Sequence, residues 1–258
     1  MATDLGVLLG DLRVEGDDLD AIVGDLPAAD WTRPTPAAGW TIAHQIAHLA
    51  WTDMRALLAA TDGPAFQADL QDGAADQRGY VDGGAAQGAA QPPAELLSRW
   101  RAGRAAVLTT LAGLPAQTRL PWFGPPMGPA SMVTARLMET WAHGQDVVDA
   151  LGVTRPPTGR LRHVAHLAVR TRDFAFEANG LPPPAEPFRV ELTAPDGVAW
   201  TWGREDAAQR VTGPALDLCL LAVQRRHRDD LALAATGADA DRWLDIAQCF
   251  AGPPGPGR

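Results

Sequence analysis

The sequence contains no lysine, so all 22 of its basic residues are arginine. Schiff-base catalysis, pyridoxal-phosphate attachment and a phosphate-loop lysine are thereby excluded. Cysteine is nearly as scarce. Cys219 and Cys249 are the two present, both within apolar helical patterns, which gives neither a disulfide framework nor a CxxC metal site. No run approaches the roughly 18 apolar residues that a membrane span needs. The opening stretch MATDLGVLLGDLRVEGDD is acidic and has no basic leader region. No membrane association and no signal peptide are expected, and a cytoplasmic protein is the reading that follows. Positive charge is in deficit too: the net charge of -9 and pI near 5.0 argue against nucleic acid as a partner. No G-x-S-x-G, glycine-rich phosphate loop or H-E-x-x-H is found.

What is plentiful is apolar surface. Hydrophobic residues make up 46% of 258 positions, enough for one large domain or two ordinary ones. Leu5, Leu8, Leu9, Leu12, Leu19, Ile22, Val23 and Leu26 recur at helical spacing. After the proline-rich WTRPTPAAG, Thr41 is placed to cap a second helix, IAHQIAHLAWTDMRALLAA. Residues 61–91 are Gly, Ala, Gln and Asp with few large apolar side chains, and read as a long loop covering the mouth of a site. Pro92 and Pro93 open a third helix, with Leu96, Leu97, Trp100, Val107, Leu108, Leu111 and Leu114 on its buried side. A fourth helix runs from about Ser131 to Leu151, with Gly152 as its stop. Four long helices make a four-helix bundle the economical solution.

Beyond GVTRPPTG the pattern changes. Residues 160–179 read as a helix ending at Gly180, and FRVELTAPDGVAWTWG alternates around an Asp-Gly turn as a β-hairpin does. A short strand near Val211 and helices over about 214–227 and 238–250 follow. The tail AGPPGPGR is an exposed extension or an arm on the surface. The chain thus reads as mainly α: a four-helix bundle over residues 1–153, then a smaller α+β domain over 154–258.

The fourth helix carries LMETWAHGQDVVDALG, where Glu139, His143 and Asp146 fall at i, i+4 and i+7 on one stripe. Ionisable groups on an inward face are costly unless paired or bound to metal. The second helix presents His44 and His48, again one turn apart. One of these with Glu139 and His143 would make a His-Glu-His set, suited to a catalytic divalent metal, zinc first and nickel or iron from the same ligands. By spacing alone, a hydrogen-bonded polar network fits equally well. Asp146 is placed either to orient His143 from behind or as an ordinary helix carboxylate. Asp53 falls on the apolar face and reads as a buried hydrogen-bonding group. Trp40, Trp51 and Trp141 lie near the ligand candidates in sequence, where they could wall a pocket. His163 and His166 lack a partner at ligand spacing.

GWTIAHQIAHLAWTD and ETWAHGQDVVDALG resemble the signatures of the DinB-like superfamily, and within it the mycothiol-dependent maleylpyruvate isomerase family of actinobacteria; VTGPALDLCLLAVQRR resembles that family's C-terminal domain. The resemblance implies metal ligands His48, Glu139 and His143, with His44 in reserve, and a substrate-binding arginine at Arg225. It implies a metal-dependent enzyme that activates the thiol of mycothiol for addition to a small electrophilic substrate, as isomerase or S-transferase. The α+β domain would close the open side of the metal. The rival readings are a thiol-independent metal hydrolase, lyase or cyclase, and a non-catalytic metal- or ligand-binding protein. A small-molecule substrate and a monomer or homodimer are expected.

Overall fold

The computed structural model describes residues 4–73, 76–255 and 257, and divides into two compact units, Met1–Arg155 and Pro156–Arg258. The first unit is built on four long helices: α1 (Leu5–Val23), α2 (Ile42–Thr61), α5 (Pro93–Ala112) and α6 (Pro129–Leu151), with α3 (Gly63–Gly73) and α4 (Gln77–Ala89) between the second and the third. Leu19 and Val23 of α1, Ile42, Ile46 and Leu49 of α2, Leu96 and Trp100 of α5 and Val147 of α6 share one apolar cluster. Burying such side chains is worth about 1.5–3 kcal/mol each. The amphipathic stripes therefore determine which faces meet. Gly152 ends α6 in the left-handed conformation, φ 67°, as a stop glycine does. Outside the core, Arg104 of α5 pairs with Asp17 and Asp20 of α1 at 2.7 and 2.8 Å.

The long loop expected over 61–91 is instead helical in α3 and α4; residues 74–75 of that stretch lie outside the described residues. The helices escape a search for large apolar residues because α4 packs through glycine. A Cβ on Gly88 would come within 2.7 Å of the Ala47 Cβ, and one on Gly84 within 2.5 Å of the Trp51 indole nitrogen. Residues 84 and 88, one turn apart, thus let α4 lie close against Ala47 and Trp51, themselves one turn apart on α2. The same docking brings Asp82 to the Trp40 indole N–H, 3.3 Å away, and Tyr80 edge-on to Trp51.

The second unit comprises α7 (Leu161–Arg170), α8 (Arg172–Ala178), β1 (Phe188–Thr193), β2 (Ala199–Trp202), β3 (Gln209–Pro214), α9 (Ala215–Ala222), β4 (Ala234–Thr236) and α10 (Ala238–Ile246). The sheet order is β2-β1-β3-β4. The β1–β2 hairpin turns at Asp196–Gly197, β1 and β3 run parallel, and β4 pairs antiparallel with β3. Two sequence expectations are corrected here. The helix over 160–179 is broken at Thr171, whose hydroxyl bonds Leu167 O and Gln248 O. The helix over 214–227 stops at Ala222: Gln224 takes φ 57°, and the N–H groups of Gln224 and Arg225 return to Leu221 O and Leu220 O. Those two bonds form a Schellman cap in which glutamine occupies glycine's usual place. β4 is too short to carry a sequence signal. Among the described residues no helix is long and apolar enough to cross a membrane.

The glycine face of α4 gives a signed prediction. Gly83→Ala, with nothing within 4 Å of the new Cβ, should raise stability by about 0.5–1 kcal/mol through helix propensity. Gly88→Val should lower it by about 1–3 kcal/mol through overpacking against Ala47. Urea denaturation of both variants distinguishes this packing from a loosely attached segment, in which neither substitution would cost stability.

Candidate metal centre

Helices α2 and α6 deliver three side chains to one point. His48 of α2 and Glu139 and His143 of α6 each place a potential ligand atom within 4.8 Å of the others. Both imidazole Nε2 atoms face the same Glu139 oxygen, Oε2, at 3.4 Å from His48 and 3.2 Å from His143. Charge-assisted N–H···O bonds are usually about 2.7–2.9 Å long. Nitrogen and oxygen ligands about 2.0–2.1 Å from a tetrahedral zinc stand about 3.3–3.4 Å apart. The separations match the edges of a coordination shell better than those of a closed ion pair. The three side chains are 10%, 22% and 12% exposed, so the cluster is recessed yet reachable.

The electrostatics fit the geometry. Burial alone would raise the Glu139 carboxyl, but the hydrogen bonds and charges of His143 and His48 outweigh it and hold the carboxyl well below the usual carboxylate range. Anionic Glu139 with two imidazoles is a hard-to-borderline N₂O donor set, suited to zinc and to neighbouring transition metals.

His143 is held from behind. Its Nδ1 lies 2.5 Å from Gln45 Oε1 on the facing helix, an arrangement in which Nδ1–H donates and Nε2 is the ring nitrogen turned toward Glu139. Gln45 is fixed in turn: its amide donates to the Thr35 hydroxyl at 2.9 Å, which donates to Trp40 O at 2.9 Å. The nitrogen toward which helical spacing could turn Asp146 has Gln45 Oε1 at hydrogen-bond distance, and Asp146 itself is fully buried on α6. Sequence reasoning missed Gln45, though it is a fully buried amide one turn before His48 on a helix otherwise apolar at that depth.

The other candidates separate clearly. His44 Nδ1 takes the backbone N–H and hydroxyl of Thr41, serving as the N3 partner of a capping box at the start of α2. The cluster of potential ligands contains His48 and not His44. Trp40 stacks on His143 with centroids 6.0 Å apart, and Trp51 lies 6.2 Å from His48, so these two indoles flank the imidazoles. Trp141 is turned to Arg155, whose guanidinium sits over its ring. Asp53 pairs with Arg136 in the bundle interior, in keeping with its reading as a buried hydrogen-bonding group. In the second unit, Arg225 lies just past the α9 cap with Nη1 bonded to Val223 O, and His166 accepts from the Trp202 indole. Both cysteines are buried there outside any disulfide, and burial pushes the Cys219 thiol well up.

Comparison with known proteins finds matches over most of the chain. The family described as mycothiol maleylpyruvate isomerase N-terminal domain matches residues 12–148, and a family described as wyosine base formation matches residues 184–236. Two uncharacterised proteins of Mycobacterium tuberculosis, from strains CDC 1551 / Oshkosh and ATCC 25618 / H37Rv, are each 59% identical over 255 residues, covering 99% of both chains. Among solved structures, a histidine-to-alanine variant of the mycothiol-dependent maleylpyruvate isomerase aligns with TM-score 0.61 at 15% identity, covering 90% of this chain and 92% of its own. The isomerase itself aligns with TM-score 0.60 at 16% identity, covering 86% and 90%. At that identity the likeness is one of fold.

A pH dependence follows from Glu139. Its carboxyl is depressed in the folded protein, so its contribution is present above the unfolded value of about 4.3 and is lost as pH falls through the folded value. Melting of the metal-free protein should therefore fall more steeply below about pH 4.3 in the wild type than in Glu139→Gln. Parallel curves would mean that the imidazoles do not stabilise the carboxylate.

Proposed function

Because the chain belongs to the mycothiol maleylpyruvate isomerase N-terminal domain family, we propose that it is a divalent-metal enzyme acting with a small-molecule thiol, mycothiol, on a small electrophilic substrate. The observation that carries this reading is the convergence of His48 and His143 Nε2 on Glu139 Oε2 at coordination-edge distances. These three side chains would hold the metal, zinc by preference. When bound, such a metal lowers the pKa of a coordinated thiol so that it stands ready as the thiolate, the nucleophilic form.

The chain's own residues account for the remainder. Gln45 and Thr35 keep the His143 ring in the orientation that leaves Nε2 free of a proton. Trp40 and Trp51 flank the imidazoles and restrict water around the site. Neither cysteine belongs to the bundle, so the thiol must arrive with the ligand. Addition of a thiol to one carbon of a conjugated double bond leaves a single bond that can rotate. Expulsion of the same thiol restores the double bond and returns the thiol unchanged, giving net isomerisation; retention of the carbon–sulfur bond gives transfer. Arg225 is the cation proposed to anchor an anionic group of the substrate, and α3 and α4 are proposed as the cover of the site.

Elemental analysis of untagged protein should find near-stoichiometric metal, with most of it lost in His48→Ala, Glu139→Ala and His143→Ala and retained in His44→Ala. Gln45→Leu should weaken zinc binding about 10–100-fold, as removal of an orienting partner does. Mycothiol should raise the melting temperature of the zinc-loaded wild type. Metal without a mycothiol response would favour a thiol-independent reaction, and retained metal in all three alanine variants would remove the site.

Arg225→Ala should keep zinc and folding while weakening an anionic ligand about tenfold, since a charge-assisted hydrogen bond is worth about 1.5–3 kcal/mol and about 1.4 kcal/mol is one decade. Equilibrium titration with a dicarboxylate measures it. Unchanged affinity would return Arg225 to a purely structural place after α9.

A further inference from the structure

Asp53 of α2 and Arg136 of α6 pair inside the bundle, Nε to Oδ1 3.0 Å, with Asp53 5% and Arg136 1% exposed. This is a poor way to stabilise a helix pair. Withdrawing both charges from water costs about as much as their attraction returns, and apolar residues of similar volume often serve as well or better. The pair is not even fully satisfied, because Arg136 Nη2 is buried without a hydrogen-bond partner. Burial also pushes the Asp53 carboxyl up, against the opposing charges of Arg136, Arg104 and His48.

The position of the pair explains what stability does not. Polar contacts between α2 and α6 among the described residues include Gln45 with His143, His48 with Glu139, and Asp53 with Arg136. The first partner advances along α2 as the second retreats along α6, so the helices are antiparallel and the contacts form successive rungs. The upper two rungs are the metal centre and its support. The third lies five residues beyond His48 and three before Glu139, and its hydrogen bond joins Asp53 to Arg136. Apolar stripes tolerate axial sliding, because a methyl group meets another methyl group after a small shift. A charged rung does not. A slip of one residue, about 1.5 Å, would separate a carboxylate and a guanidinium in a place where water cannot replace either partner. The same slip would draw His48 away from Glu139.

We propose that Asp53 and Arg136 are positioning residues that lock the axial offset of α2 against α6, and so set the distance between His48 and the Glu139–His143 pair. The lock contributes to metal affinity rather than to net stability. The part concerning affinity rests on the metal reading above; the part concerning the offset does not.

The double variant Asp53→Leu/Arg136→Met tests both parts. The metal-free protein should melt at or above the wild-type temperature, its zinc affinity measured by chelator competition should fall at least tenfold, and its crystal structure should show α6 displaced along α2. A folded double variant with unchanged zinc affinity, or with the wild-type offset, overturns the proposal. If the double variant does not fold, Asp53→Glu decides, since it keeps both charges and lengthens the rung by one methylene. Weaker zinc binding with a shifted offset then supports the lock, and wild-type values overturn it. Should the wild-type chain itself bind no zinc, the metal reading fails while the offset in the metal-free crystals still decides the lock.

Discussion

The first unit depends on the compensation of one buried carboxylate. Glu139 sits on a helix whose buried face is largely apolar, and an unpaired charge there would be untenable. Two imidazoles from two helices meet the same oxygen, which ties α2 to α6 and keeps the carboxyl ionised. Everything nearby serves that convergence. Gln45 constrains one imidazole, Thr35 constrains Gln45, and the loop carrying Trp40 constrains Thr35. The polar centre is thus a chain of constraints running out to the loop before α2. Trp31 and the apolar stripe of α2 hold the rest of the helix in the core.

His44 and His48 illustrate how equivalent residues acquire different work. They are one turn apart on one helix, and spacing cannot rank them. Position along the helix does. His44 occupies the third position of α2, where the first turn has backbone donors without partners, and its ring meets that need at Thr41. His48 lies a full turn deeper, past the cap, opposite the glutamate of α6.

The parts of the fold that were legible in the sequence are those written in large apolar residues. Leu, Ile and Trp at helical spacing delimit α1, α2, α5 and α6, and alternation around Asp196–Gly197 delimits the hairpin. The candidate ligand cluster was legible because E-x-x-x-H and H-x-x-x-H each place two groups on one face. Choosing His48 over His44 took the family resemblance. What escaped did so for physical reasons. The α3–α4 segment packs through Gly84 and Gly88, where the signal is missing volume rather than added hydrophobicity. Gln45 escaped because an amide among apolar residues looks neutral until the helix opposite it is known. The end of α9 escaped because its left-handed residue is Gln224 and not a glycine. Arg136 gave no warning at all: an arginine on a long helix is ordinarily a surface residue, and only the facing Asp53 makes it an interior one.

Helix α4 has an unusual dependence on its neighbour. Four of its thirteen residues, Gly79, Gly83, Gly84 and Gly88, are glycines, each disfavouring a helix by about 1 kcal/mol relative to alanine. Such a segment has little tendency to be helical alone, since short helices in water are marginal even with good formers. Its backbone hydrogen bonds therefore exist on credit from α2: undocking and unwinding become one event. The free energy that keeps it wound is the same free energy that keeps it seated beside Trp51 and Trp40. Amide exchange along α4 should then proceed as a single cooperative block, separate from global unfolding. Those amides would report, from the backbone side, each time the aromatic flank of the histidine cluster is uncovered.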